Sequence, residues 1–417
     1  MRKVTLQIHI DALRHDYITE PDMPFLHGLA SRGVQATLVP PFGFEPDGAY
    51  LTGTHPESYG GGAHFVWAQG HNPIPFARRL PGWLDLLSAY GQYPVRRLVE
   101  RGIALRGTTR RIRLAPRTAH IPLGLLRHFD YCHYQFPYEP GFAGRAKTVF
   151  DYLRDAGRPF FYHGYPEFDS TVQCAVDRVR DRFRGADFAF VLIGDLDAAG
   201  HDAGPESAAR SAVAQTVDQA IRVIYEHVAS CCDGVDLVVF GDHGMVPVRQ
   251  HVDLRSRLAK LRVRVGCDYV YFLDSTMARF WFFERGVADV VREALVDVPG
   301  GRLVSPAEAS EYRIRYPDRR FGDLIYWADG GAIIYPNFWQ VRRPPKGMHG
   351  YRRDVRANHA AFIFDDSTQA LGVSAGEREM VDVFQTTMCS LFGSEVTAPG
   401  VFGAALQRLP KALGTRS

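Results

Sequence analysis

Phe188 to His201 reads FAFVLIGDLDAAGH: six apolar residues in a row, a glycine, then an acidic stretch that ends in Gly200-His201. A short unbroken apolar run closed by a glycine-containing turn reads as a buried strand. A similar run, broken only by Asp236, occurs at Val235 to Phe240 (VDLVVF), which leads into Gly241-Asp242-His243-Gly244-Met245. Between the two, Ser207 to Ser230 carries a helical period. Upstream, Val4 to Ile10 alternates as a strand and leads straight into Asp11. Met23 to Arg32 predicts a helix, with Gly33 placed to cap its end. Strands alternating with helices predict an α/β fold with a mostly parallel sheet. Ligands of such sheets collect at the carboxyl ends of the strands, where Asp11, Asp195, Asp197 and Asp242 all fall.

The chain of 417 residues is 46% apolar and 23% charged, which excludes long-range disorder and low-complexity scaffolds. A formal charge of +3 argues against a polyanion as the general partner. Six cysteines without a C-x-x-C pair do not make a disulfide scaffold. Neither a signal-peptide-like start nor an apolar run of membrane-spanning length is present, so the expected compartment is the cytoplasm.

Two segments break the rhythm. Residues 65–146 are rich in Arg, Pro, His and aromatics. Residues 264–340 hold strand-like stretches at Asp268–Leu273, Ala278–Phe283, Asp323–Trp327 and Ala332–Tyr335, with one helix at Val287–Val296. Both read as insertions that build a cap. The core is then expected in three parts, 1–64, 147–263 and 341–393, with 394–417 as a tail. Its last part should hold a strand at Ala360–Phe364 and a helix near Glu377–Phe392.

A lone Asp at a strand end is more often a cap, and a lone His beside Gly a loop residue. Four such fragments in order are harder to dismiss: Asp11; Asp197 to His201; Asp242-His243; and Gly347-Met348-His349-Gly350. Three carboxylates and three imidazoles suit a pair of divalent ions, zinc foremost or manganese. With Thr52-Gly53-Thr54-His55-Pro56-Glu57-Ser58 and Gly204-Pro205 added, the order resembles the alkaline phosphatase superfamily. Within it, the type I phosphodiesterase/nucleotide pyrophosphatase branch is the nearest in pattern. The resemblance implies a three-layer α/β/α core with inserted caps. It also implies one ion held by Asp197, His201 and His349, and another by Asp11, Asp242 and His243. The implied activity is two-metal hydrolysis of phosphodiester or pyrophosphate bonds in a nucleotide-like or other organic phosphate. The alternatives are an inactive ligand-binding relative and a phosphomonoester or phosphonate hydrolase. Asp195, outside the motif, is the weaker ligand of its pair, and His359 reads as structural.

The family's Thr or Ser nucleophile should fall at Gly43 or Phe44, where the sequence PPFGFEPDGAY from Pro40 to Tyr50 has no Ser, Thr or Cys. Direct attack by metal-bound hydroxide, with Glu45 or Asp47 as base or extra ligand, is one reading. Lost hydrolysis is a second. A shifted register that uses Tyr50 or Thr52 is a third. Glu45 could equally serve the helix dipole ahead of Pro46.

Arg96, Arg97, Arg101, Arg106, Arg110, Arg111, Arg113 and Arg117 crowd residues 96–117 of the first insertion, where Glu100 is the only acidic residue. Such a cluster could guide an anionic phosphorylated substrate into the cleft or meet an anionic membrane surface. No nucleic-acid motif is present. His55, His64 and His71 follow the nucleophile slot and are more often structural than pocket residues. Trp67, Tyr165 and Phe168 could stack on a base or sugar, but most aromatics at this density are core residues.

Overall fold

Lys3–Ile10 lies in the middle of a seven-stranded sheet, paired in parallel with Phe188–Ile193 on one side and Gly234–Phe240 on the other. The full strand order is Val373–Glu379, Val34–Val39, Ala360–Asp365, Gly234–Phe240, Lys3–Ile10, Phe188–Ile193, Phe160–His163. Only Ala360–Asp365 runs against both its neighbours. This computed structural model describes residues 3–68, 89–314, 316–368 and 370–393. His71 and the expected tail 394–417 lie outside the described residues.

Helices cover both faces, so the fold is a three-layer α/β/α sandwich. On one face Leu6, Ile8, Val191 and Val239 pack with Ala214, Val217 and Ile221 of the helix Ala208–Ser230. On the other, Phe188, Phe190, Val238 and Phe362 meet Phe150, Val383 and Met388. The alternation of the first strand does not mark a solvent face: Thr5, Gln7 and His9 are all buried. Thr5 and Gln7 lie under the last helix, where Thr387 Oγ1 donates to Gln7 Oε1 at 2.9 Å and Thr5 Oγ1 shares a hydrogen bond with Ser390 Oγ at 2.7 Å, while His9 packs against Tyr50 and Phe240. A polar strand face can stay dry when a hydroxyl-bearing helix satisfies it.

The helix Pro24–Arg32 has no side-chain cap of its own. Asp218, buried on the Ala208–Ser230 helix, supplies it by accepting the N–H groups of Phe25 and Leu26, each at 2.9 Å. The carboxylate thus serves two orphan donors at the positive end of the helix dipole. Asp218→Ala should lower the unfolding free energy by about 2 kcal/mol, read as a lower urea midpoint. An unchanged midpoint would show that water replaces the cap.

Two expectations need correction. Gly33 does end that helix, but with φ −92° it is not a left-handed cap. A Cβ there would lie 2.4 Å from the Phe364 carbonyl oxygen, so close backbone approach is what requires glycine. The final helix starts at Asp382 rather than near Glu377. Residues Val373–Glu379 instead form an edge strand parallel to Val34–Val39, with a register shift between Ser374 and Glu377.

The second core lies outside the sheet. Tyr269–Leu273, Met277–Phe282, Leu324–Ala328 and Gly301–Leu303 form an antiparallel sheet in that order. Its apolar face shares one cluster with Val99, Ile103, Ile112 and Phe129 from the Arg-rich segment, and with Val252, Leu254 and Leu258. Ala332–Ile334 pairs with Gln250–Val252 rather than with this sheet. Trp67 is a core aromatic here, stacked on Trp281 with centroids 5.6 Å apart. No helix among the described residues is long and apolar enough to cross a membrane.

Candidate metal centre

Each donor stands where a strand delivers it. Asp11 follows Lys3–Ile10 directly, and the next residue, Ala12, holds φ at +61°. That left-handed conformation is costly for a residue with a Cβ, and here the Ala12 N–H reaches Asp242 Oδ1 at 3.2 Å. Asp242 and His243 follow Gly234–Phe240. Asp197 and His201 sit one turn apart on the helix Asp195–Ala203, so they share a face. His349 arrives on a two-residue strand, Gly347–Met348, paired with Val246–Pro247. A Cβ on Gly347 would lie 2.6 Å from the Gly200 carbonyl oxygen, so glycine lets these segments close.

All six expected ligands converge. His243 Nε2 is 3.3 Å from both Asp11 Oδ1 and Asp242 Oδ2. Asp197 Oδ1 is 3.1 Å from His201 Nε2 and 3.9 Å from His349 Nε2. His243 also stacks on His349 at 3.6 Å, and it belongs to both candidate ligand groups, Asp11/Asp242/His243 and Asp197/His243/His349. His201 and His243 each place Nδ1 2.8 Å from a backbone carbonyl, of Gly347 and Gly244 respectively. A carbonyl can only accept, so Nδ1 carries the proton and Nε2 presents its lone pair to the cluster.

Electrostatics show what the cluster lacks without a cation. Burial, with Asp242, Asp197 and Asp47 adding to it, pushes the Asp11 carboxyl well up. Burial also pushes Asp197 up, but His201, His349 and His243 outweigh it and hold that carboxyl at about 2. His349 is driven well below the usual imidazole range by burial and by His243. Asp11 Oδ1, Asp197 Oδ1 and His349 Nδ1 are buried without a hydrogen-bond partner. Oxygen and imidazole donors with unclaimed lone pairs fit divalent cations of the zinc or manganese kind.

Asp11, Asp197 and Asp242 of this cluster line a cleft of about 720 Å³. Glu45 and Asp47 line it, as do Arg111 and Arg117 from the basic segment. Glu45 Oε1 is 2.6 Å from His64 Nδ1. Burial opposes ionisation of Glu45, yet His64, aided by His133 and Arg111, leaves its carboxyl at about 2. Asp47 is pushed up by burial, a shift offset in part by the Tyr50 hydroxyl, which donates to Oδ1 at 2.6 Å. Phe44, in the nucleophile slot, packs edge-on against His349. Thr52 turns its hydroxyl onto the Gly48 carbonyl at 2.6 Å, away from the cluster.

Of the other candidates, Asp195 accepts the Val172 N–H at 2.8 Å and His359 Nε2 bonds the Arg353 carbonyl at 2.7 Å, both structural roles. His55 faces a separate pocket beside Glu379. Arg96 is buried on backbone carbonyls and Arg110 pairs with Glu167 at 2.6 Å. Sequence reading passed over Ser170 and His9 among the cleft residues. Tyr165 and Phe168 line the cleft with Ser170. His9, two positions before Asp11, places Nε2 3.2 Å from Asp242 Oδ1, and that spacing was the available signal.

Donors at the carboxyl ends of parallel strands, with Arg111 and Arg117 lining the same cleft, define an α/β protein whose polar site lies where such sheets carry their ligands. The chain belongs to the type I phosphodiesterase/nucleotide pyrophosphatase family, whose model matches residues 5–352, and this is a family of phosphodiester hydrolases. Human ectonucleotide pyrophosphatase/phosphodiesterase 5 superposes with a TM-score of 0.68 at 18% identity, over 95% of this chain and 96% of that one. The murine form, inactivated by a threonine-to-alanine change and in complex with AMP, gives 0.70 at 18% identity, over 98% and 99%. GPI ethanolamine phosphate transferase 2 of Yarrowia lipolytica is 34% identical over 92 residues. That stretch is 22% of this chain and only 10% of the transferase.

Proposed function

We propose that this protein is a two-metal-dependent hydrolase of phosphodiester or pyrophosphate bonds in a nucleotide-like substrate, and that water replaces the family's side-chain nucleophile. The observation that carries the reading is the convergence of Asp11, Asp197, His201, Asp242, His243 and His349 around a shared His243. Asp197, His201 and His349 would hold one ion and Asp11, Asp242 and His243 the other. When bound, the ions offset charge on the phosphoryl oxygens and on the attacking and leaving oxygens.

The chain's own residues do the remaining work. Arg111 and Arg117 stand on the wall of the same cleft, where guanidinium forks suit a second anionic group of the substrate. Tyr165 and Phe168 also line the cleft, with the Arg117 guanidinium over the Tyr165 ring at 4.9 Å and that of Arg178 over Phe168 at 3.4 Å. Asp47, buried and with Oδ1 committed to Tyr50, has Oδ2 left to take the proton of the attacking water. Glu45, held ionised by His64, is the weaker base and positions the cleft wall.

Paired nitrophenyl mono- and diester phosphates, with zinc- or manganese-loaded protein, test the reading. Diester turnover supports it. Asp47→Asn should then lower kcat by about 100-fold or more with bound metal unchanged, while Glu45→Gln should cost less. An unaltered kcat in Asp47→Asn would remove that role. Gly43 and Phe44 support a second reading, a binding relative without hydrolysis. AMP binding by calorimetry with no turnover of either ester would select it.

A further inference from the structure

Glu45, His64, Cys132 and His133 meet at the rim of the cleft and are not used by the six-donor cluster. One ligand atom each of Glu45, Cys132 and His133 lies within 4.8 Å of the other two. His64 adds Nδ1 at 2.6 Å from Glu45 Oε1. His133 is 6% exposed, its Nδ1 lies 3.2 Å from the Phe142 carbonyl, and its Nε2 is buried without a hydrogen-bond partner. Since a carbonyl only accepts, Nδ1 is protonated and Nε2 is a free lone pair. This is the arrangement seen at His201 and His243 in the proposed pair. His64 Nε2 is likewise buried and unpartnered.

We infer that Glu45, Cys132 and His133, with His64 beside them, form a separate third cation site that takes zinc. One thiolate, imidazole and one carboxylate make a donor set that zinc accepts and that magnesium or calcium does not prefer. Glu45, His64 and His133 also line a cavity of about 20 Å³, large enough for an ion and too small for a substrate group. Arg111 shares that cavity, with Nη1 on the Gln135 carbonyl at 3.0 Å. Carboxylate plus thiolate neutralise a dication, so the guanidinium meets no net positive charge. On binding, the Cys132 thiol exchanges its weak hydrogen bond to the Gly60 carbonyl for the metal and releases its proton to solvent.

The site ties two parts of the chain that the sequence separates. Glu45 precedes the helix Asp47–Thr52, which packs on one face of the central sheet, whereas Cys132 and His133 follow the strand Phe129–Tyr131 of the Arg-rich segment. An ion there would fix the Arg-rich segment, and with it Arg111, against the mouth of the cleft.

Cobalt(II)-loaded full-length protein tests this without reference to turnover. The wild type should show a thiolate-to-cobalt charge-transfer band that Cys132→Ser abolishes and His133→Gln weakens, while Asp242→Asn retains it. Zinc-loaded wild type should carry one more equivalent of metal per chain than Cys132→Ser. Absence of the band from the wild type, its persistence in Cys132→Ser, or its loss from Asp242→Asn would each overturn the site. A band on protein that holds a single equivalent would leave this site standing and sink the proposed pair instead. Circular dichroism of each variant separates loss of the ion from loss of the fold.

Discussion

Asp242→Asn should reduce diester turnover by more than about 100-fold and lower bound metal by one equivalent, with the fold retained. Outer partners of metal ligands alone typically cost 10- to 100-fold when removed, and Asp242 stands closer than that. Its Oδ1 lies 3.2 Å from the Ala12 amide and 3.1 Å from the His243 amide, and its Oδ2 lies 3.3 Å from His243 Nε2. Asparagine can keep its oxygen on the two amides, which preserves the turn at Ala12. Its NH2 group must then replace Oδ2, the atom facing the cluster, so a donor stands where an anionic acceptor was. Burial alone would push the Asp242 carboxyl up, but His243 and His9 hold it well below the usual range. Metal content by mass spectrometry and kcat on the diester read the two effects separately. Full turnover at full metal content would remove Asp242 from the site.

The residues that sequence reading found were those announced by local pattern. FAFVLI is apolar throughout and VDLVVF nearly so, broken only by the buried Asp236, because both strands are covered on both faces; Asp197, Asp242 and His243 follow within four residues of the strand ends and His201 one helical turn after Asp197. What stayed hidden depends on distant neighbours. His9 sits on what reads as the polar side of an alternating strand, and only packing by Tyr50, Phe190 and Phe240 makes its ring interior. VSAGERE, from Val373 to Glu379, has the polar, half-exposed character of an edge strand and resembles a helix start until its pairing with Val34–Val39 is known. Eight arginines in the first insertion look alike in sequence. Burial on carbonyls, ion pairing and cleft lining sort Arg96, Arg110 and Arg111 into three different roles. Cys132 and His133 carry no metal-motif spacing, because their partners Glu45 and His64 come from nearly seventy or more residues upstream.

The largest stability effect is expected away from the cleft, at Asp274. Arg279 is wholly buried between Phe272 and Phe321, with its guanidinium carbon 4.9 and 4.8 Å from their ring centroids. Asp274 Oδ2 accepts from its Nε at 3.1 Å and lies 3.0 Å from Nη2, and Trp339 Nε1 donates to Oδ1 at 3.1 Å. Asp274→Ala leaves a guanidinium stranded in an apolar core, and removing one partner of such a pair costs about 3–5 kcal/mol. The double variant Asp274→Leu/Arg279→Met removes both charges and should cost less than the single change, since a buried pair is often no better than packed apolar groups. Urea unfolding of the two variants makes the comparison; a single variant within about 1 kcal/mol of wild type would show that water reaches Arg279. The consequence extends to the cleft. Arg279 Nη1 also donates to the Phe65 carbonyl at 2.9 Å, and the preceding residue, His64, holds Glu45. A core that loosens around Arg279 therefore slackens the wall that carries Glu45, so Asp274→Ala should also weaken binding at the Glu45–His133 cluster. The six-donor cluster, carried by strand ends of the central sheet, should keep its metal in the same variant.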